Sequence, residues 1–122
     1  MTVQELYAAV DGNYEAALKV LRMDAMVKRF ILKLPNDKAL ENMLQGWAAK
    51  DEKAVFEGAH AVKGVCANLG LLSLSEKAGE LAEEFRPGNA RKLTDEQVSE
   101  KLDVLAEQYN RTTEAIRSFE MQ

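Results

Sequence analysis

"DEKAVFEGAHAVKGVCANLG", residues 51–70, decides how the rest of the chain reads. Asp51 can cap a helix that runs to Gly70, a glycine placed just past its end. On a helical wheel of about 100° per residue, Val55, Ala59, Val62, Cys66 and Leu69 fall within an arc of roughly 80°. That arc is a core stripe, so the stretch predicts a helix with one buried face. His60, the only histidine of the chain, then lies about 140° from the centre of the stripe, and Gly64 about 180° from it. Lys63 sits on the flank between core and solvent, on the same side as His60. Phe56, Glu57 and Ala67 complete the outward neighbourhood.

The two glycines inside this helix separate by role. A glycine in a helix interior is less favourable than alanine by about 1 kcal/mol. Gly58 points near the core side, where its size lets a neighbouring helix approach. Gly64 points away from the core, so internal packing does not explain it. One turn along from His60, it leaves one side of the imidazole unshielded for a partner surface. Cys66 lies on the buried stripe and reads as a small core residue.

Working outward, the punctuation marks further helices and no strands. "TVQE" at 2–5 is a capping box opening a brief helix stopped by "DGN" at 11–13. Asn13 can cap a second, roughly "YEAALKVL". A third follows Asp24, with Met26, Val27, Phe30, Ile31 and Leu34 at helical spacing until Pro35. "NDKALENMLQGWAAK" is a fourth, with Leu40, Met43, Leu44 and Trp47 on one face. After the helix of 51–70, a sixth runs from about Leu72 to Arg86, before the "PGNAR" break. Its seam is Leu71, Leu74, Ala78, Leu81 and Phe85, with Glu80, Glu83 and Glu84 as a solvated face. A second capping box, "TDEQ" at 94–97, opens the last helix. Val98, Leu102, Leu105, Tyr109, Thr112, Ile116 and Phe119 repeat along it at spacings of four and three. Trp47 and Phe85 read as core anchors.

The expected fold is all-α. It is an antiparallel up-down four-helix bundle over about 36–120, with the short helices of about 1–35 packed over one end. The 122 residues make one domain. Apolar residues at 47% and charged residues at 30% are ordinary for a globular chain. The net charge of −4 argues against a nucleic-acid or anionic-membrane partner. No apolar run approaches the ~20 residues that span a bilayer, and the N-terminus has no signal-peptide pattern. One cysteine makes neither an internal disulfide nor a zinc site, so a cytoplasmic location is expected. Each amphipathic stripe can be used inside one bundle, so a monomer is expected too.

A side-chain imidazole is mostly neutral at cytoplasmic pH and offers a free lone pair. That makes His60 a competent nucleophile toward an activated phosphoryl group, with Lys63 supplying a positive charge for the phosphoryl oxygens. At an exposed site such a pair contributes at most about 1 kcal/mol, so the driving force must come from a high-energy donor. The chain has no phosphate-binding G-x-x-x-x-G-K-[ST] loop and no kinase signature, and nothing at helical spacing completes a hydrolase triad.

"AHAVKGVCANLG" resembles the signature of histidine-containing phosphotransfer (HPt) domains, roughly A-H-x-[hydrophobic]-K-G followed by small residues and L-G. The matching positions are Ala59, His60, Val62, Lys63, Gly64, Leu69 and Gly70. The resemblance covers most of the chain, and the short N-terminal helices look like those of small free-standing bacterial members. It implies that His60 is the phosphoacceptor, through Nε2, with Lys63 as the nearby charge and Gly64 as the opening for the partner. It also implies receiver domains of response regulators or hybrid histidine kinases as partners. These would bring the Mg²⁺, so the chain itself needs no cofactor.

There are departures from the family pattern. Relatives often place a leucine where this chain has Val62. Some relatives orient the histidine with a glutamine on the following helix. Counting from Leu69 and Gly70, that position is Ala82 here, which leaves open what orients the imidazole. Ser75, Gly79, Ala82 and Arg86 share one flank of that helix. If the flank borders His60, it is a docking surface of mostly small residues with one cation, continuing Phe56 and Ala67. The alternative is a helical adaptor that binds a receiver or kinase without being phosphorylated. A module of a larger chemotaxis-type kinase would call for dimerisation and ATP-binding domains that these residues do not contain.

Overall fold

Side-chain capping sets where four of the helices of this protein begin. In the computed structural model, which describes residues 1–122, seven α-helices and one 3₁₀ turn account for all regular structure. They are α1 (Val3–Ala9), α2 (Tyr14–Leu21), α3 (Asp24–Ile31), the 3₁₀ turn Leu34–Asn36, α4 (Ala39–Ala48), α5 (Glu52–Asn68), α6 (Leu72–Phe85) and α7 (Asp95–Glu120). Both capping boxes form: Thr2 with Glu5 opens α1, and Thr94 with Gln97 opens α7. The Asn13 side chain caps α2 through the Ala16 N–H, and Asp51 caps α5 through the Ala54 N–H. Each satisfies a backbone donor that the first helical turn leaves without a partner.

The helix ends explain two differences from the sequence reading. The third helix does not run to Pro35. It stops at Ile31, and Leu34 is buried from the 3₁₀ turn instead. The fourth stops at Ala48 rather than Lys50, because Lys50 takes a left-handed backbone with φ 58°. The Asp51 N–H then bonds the Gly46 carbonyl and the Lys50 N–H bonds that of Trp47, a Schellman closure without a glycine. Leu44, expected on the inner face of this helix, is exposed.

Helix α5 packs along α4 on one side and α6 on the other, and α6 also meets α7. Small residues permit the first contact. A methyl group built at Gly58 would come within 2.7 Å of Met43 Cβ and 2.9 Å of Met43 Cα. Gly46 is equally close to Ala54. The turn between α5 and α6 needs a glycine: Gly70 has φ 69°, and a side chain there would strike the Asn13 carbonyl. Leu71 N–H returns to the Cys66 carbonyl across that turn, while Asn13 N–H donates to Gly70 O at 2.8 Å. The Tyr7 hydroxyl donates to Leu69 O at 2.7 Å, so the N-terminal helices are tied to the end of α5.

The expected seams of α6 and α7 are buried, and Cys66 lies fully inside. Burial pushes the Cys66 thiol up to about 12, with Asp37 adding to the shift, so it packs as a protonated apolar group. At the other end, Trp47 meets the Phe85 ring edge-on at 5.8 Å and its indole N–H donates to Ser99 Oγ at 3.0 Å. The Arg91 guanidinium lies against both rings.

Glu84 corrects the reading of a solvated acidic face. Glu80 and Glu83 are exposed, but Glu84 is buried beneath the connection from α6 to α7. Its Oε2 accepts from the N–H groups of Lys92 and Leu93 at 2.9 and 2.7 Å, and Arg91 Nε lies 3.5 Å away. A carboxylate holding two loop donors replaces the water that Glu80 and Glu83 retain. Glu84→Ala is expected to lower unfolding free energy by about 1–3 kcal/mol, since the donors lose their acceptor. Urea denaturation measures this, and a change within about 0.5 kcal/mol would mean that the loop donors find water at no loss.

Candidate functional site

His60 sits near the middle of α5, exposed, while its neighbours Ala59 and Val62 are buried on the opposite side. This is what the wheel demanded, because a helix anchored on both flanks has one outward strip left. A methyl group built at Gly64 would meet nothing within 4 Å, so the surface one turn from the imidazole is open. Lys63 is exposed as well.

Helix α6 does border this strip, and it does so through Lys63. The Ser75 hydroxyl donates to the Lys63 carbonyl at 2.9 Å. The Lys63 stem crosses Gly79, whose missing side chain leaves Lys63 Cδ 3.4 Å from where a Cβ would be. An alanine methyl group there would touch the stem at ordinary contact distance, and a side chain reaching beyond Cβ would compete with the stem for this place. The Lys63 stem therefore lies along the bare backbone at Gly79, its apolar part covered and its ammonium group toward solvent.

The remaining small-residue surface differs from expectation. Ser75 and Ala82 face inward, at 9% and 1% exposure, and so do not form a docking surface. Ser75 braces the backbone of α5, and Ala82 packs in the core because the α5–α6 contact is close enough to cover it. What α6 exposes beside α5 is Gly79 in part, Arg86 in part and Glu83.

Arg86 and Phe56 meet across the two helices. The guanidinium carbon of Arg86 lies 5.6 Å from the Phe56 ring centroid, and Phe56 is stacked with His60 at 5.8 Å and 20° between planes. Phe56 and Ala67 are both half-buried at the margin of the strip. Arg86 is ion-paired with Glu83 at 3.0 Å. Its hydrogen bond and charge hold the Glu83 carboxyl below the usual carboxylate range, and Lys63 adds to the lowering. The cations Lys63 and Arg86 and the anion Glu83 thus lie around a single imidazole, with a second anion, the exposed Glu57, three residues before it on α5. Glu83 was missed as a member of the site, although its i, i+3 spacing to Arg86 was visible. The i, i+4 spacing of Phe56 and His60 was equally visible.

The family model for the Hpt domain matches residues 25–116, about three quarters of the chain, and includes the whole of α4, α5 and α6. This chain belongs to the Hpt domain family. No curated protein and no solved structure matches it. Hpt domains are phosphotransfer carriers rather than kinases and interact with receiver domains, so membership implies a part in phosphorelay signalling. Helices α1 and α2 precede the matched span. No helix is long and apolar enough to cross a membrane.

Proposed function

We propose that His60 is the phosphoacceptor of a phosphorelay carrier, exchanging a phosphoryl group with receiver-domain aspartates. One observation carries the reading: the chain's only imidazole is exposed on α5 beside Lys63 and the open surface at Gly64. In the step toward His60, a ring nitrogen forms a bond to phosphorus while the phosphorus–oxygen bond to the aspartate breaks, and the carboxylate leaves with the electron pair. The reverse step regenerates the aspartyl phosphate. The receiver supplies the Mg²⁺, and this chain contributes the nucleophile, a cation and access. In this reading α4–α7, about 36–120, form an antiparallel up-down bundle. The helices of about 1–35 complete the same domain, which acts as a cytoplasmic monomer.

The receiver docks over His60, Gly64 and Ala67, with Phe56, Gly79 and Arg86 at the margin. The receiver belongs to a response regulator or a hybrid histidine kinase. An interface of this transient kind buries about 800 Å² or less per partner. The test is intact-mass analysis after incubation with phosphoramidate, a small donor that needs no partner protein. One acid-labile phosphoryl group is expected. No adduct, under conditions that label another Hpt domain, would leave the non-phosphorylated adaptor as the better reading.

Lys63 carries a narrower expectation. Exposed as it is, its charge contributes at most about 1 kcal/mol to holding the phosphoryl oxygens. Lys63→Ala should therefore slow phosphoryl uptake, or shorten phosphohistidine lifetime, by about fivefold and no more. Time courses of the acid-labile adduct measure both quantities. Unchanged kinetics would remove Lys63 from the mechanism.

A further inference from the structure

We propose that Phe56 is the positioning residue of the His60 imidazole, holding the ring in one plane by stacking while Arg86 steadies Phe56 from α6. The proposal rests on the carrier reading of His60 and assigns what orients its nucleophile. The question is acute because His60 is exposed, and an exposed imidazole turns freely about its side-chain torsions. Relatives that use a glutamine for this purpose would present it at the position of Ala82. Here Ala82 is buried and has no polar side-chain atom. A side-chain hydrogen bond from that position is impossible.

The face of a ring does the work instead. Residues four apart on a helix are neighbours, and the Phe56 and His60 rings lie 5.8 Å apart with only 20° between their planes. That is an offset stack within the range of favourable aromatic pairs. Phe56 is itself constrained, since it packs against the core and lies under the Arg86 guanidinium at 5.6 Å. Arg86 is in turn tied to Glu83 at 3.0 Å. A ladder of Glu83, Arg86, Phe56 and His60 therefore runs from α6 to α5.

A face contact differs from a hydrogen bond in a way that matters for transfer. It fixes the plane of the ring but occupies neither nitrogen, so one can hold the proton while the other keeps its lone pair. At Gly64, one turn along, no side chain stands in the way of the edge so presented. An aliphatic residue in place of Phe56 would fill the same half-buried seat without fixing the plane.

The test compares wild type, Phe56→Leu and Phe56→Tyr, all checked for native helicity by circular dichroism. Two readouts are taken: phosphoramidate labelling and the proton chemical shifts of the His60 ring. In labelling, the His60 nitrogen–phosphorus bond forms as the phosphorus–nitrogen bond of phosphoramidate breaks, and ammonia leaves with the electron pair. Phe56→Leu is expected to lower the rate at saturating phosphoramidate about three- to tenfold, with the half-saturating concentration unchanged. Phe56→Tyr should stay within about twofold of wild type, because it keeps the ring. The His60 ring protons should lose their ring-current displacement in the leucine variant and keep it in the tyrosine variant.

Wild-type labelling by Phe56→Leu, or a tyrosine variant as slow as the leucine one, would overturn the proposal. So would His60 ring shifts that do not change on Phe56→Leu. If wild type takes up no phosphoryl group, the carrier reading itself fails, and the ring shifts alone then decide whether Phe56 orients the imidazole.

Discussion

His60→Gln is expected to lose phosphoryl uptake completely and to leave the fold untouched. The loss follows from chemistry: a glutamine amide nitrogen has its lone pair delocalised into the carbonyl and is no nucleophile toward phosphorus. No second imidazole and no exposed thiol is present to substitute for it. His60 is the only histidine, and the single thiol, Cys66, is buried and held protonated by a pKa near 12. The fold survives because His60 is exposed and its ring meets only the edge of the structure, at Phe56. Glutamine is also slightly the better helix former, so the expected stability change is within about 0.5 kcal/mol. Intact mass after phosphoramidate treatment should show one adduct in wild type and none in the variant. An acid-labile adduct that persists in His60→Gln would place the phosphoryl group on another residue. The adaptor alternative makes a different prediction, because its receiver binding would survive the substitution.

The parts of this structure legible in the sequence were those written in short-range chemistry. The two capping boxes, the Asn13 and Asp51 caps and Gly70 announced helix ends, since each works through donors or torsions within a few residues. The stripe of α5 announced both the core and the exposed His60 strip. What escaped depends on distance across helices. Lys50 adopts a left-handed backbone that its residue type does not advertise, so the C-terminal end of α4 was read two residues too far along. Glu84 resembles Glu80 and Glu83 in sequence, and only the returning loop at Lys92 and Leu93 distinguishes it. Ser75 and Ala82 share a flank with Gly79 and Arg86, but the closeness of α5 and α6 decides which of the four water can reach.

Gly64→Lys is expected to block phosphotransfer with a receiver while making the protein slightly more stable, a combination that separates it from ordinary damaging substitutions. The stability gain comes from helix propensity: Gly64 is in the interior of α5, and a side chain there meets nothing within 4 Å. Lysine at such a site should raise the unfolding free energy by about 0.5–1 kcal/mol. The functional loss comes from the same empty space. A receiver must bring its aspartate into line with the imidazole, and a misplacement of about 1 Å can slow a reaction a hundredfold. Transfer should therefore fall by about that factor or more. Labelling by phosphoramidate, a small donor, should change by no more than a few fold. Gly58→Ala supplies the contrast, because its methyl group would press within 2.9 Å of Met43 Cα and force α4 away. It should destabilise by about 1–3 kcal/mol, yet leave transfer intact in the molecules that remain folded. Urea denaturation and a receiver-transfer time course on the two variants test the pair together. Normal transfer by Gly64→Lys would mean that the receiver approaches His60 from another side and that the glycine opposite the core has no part in docking.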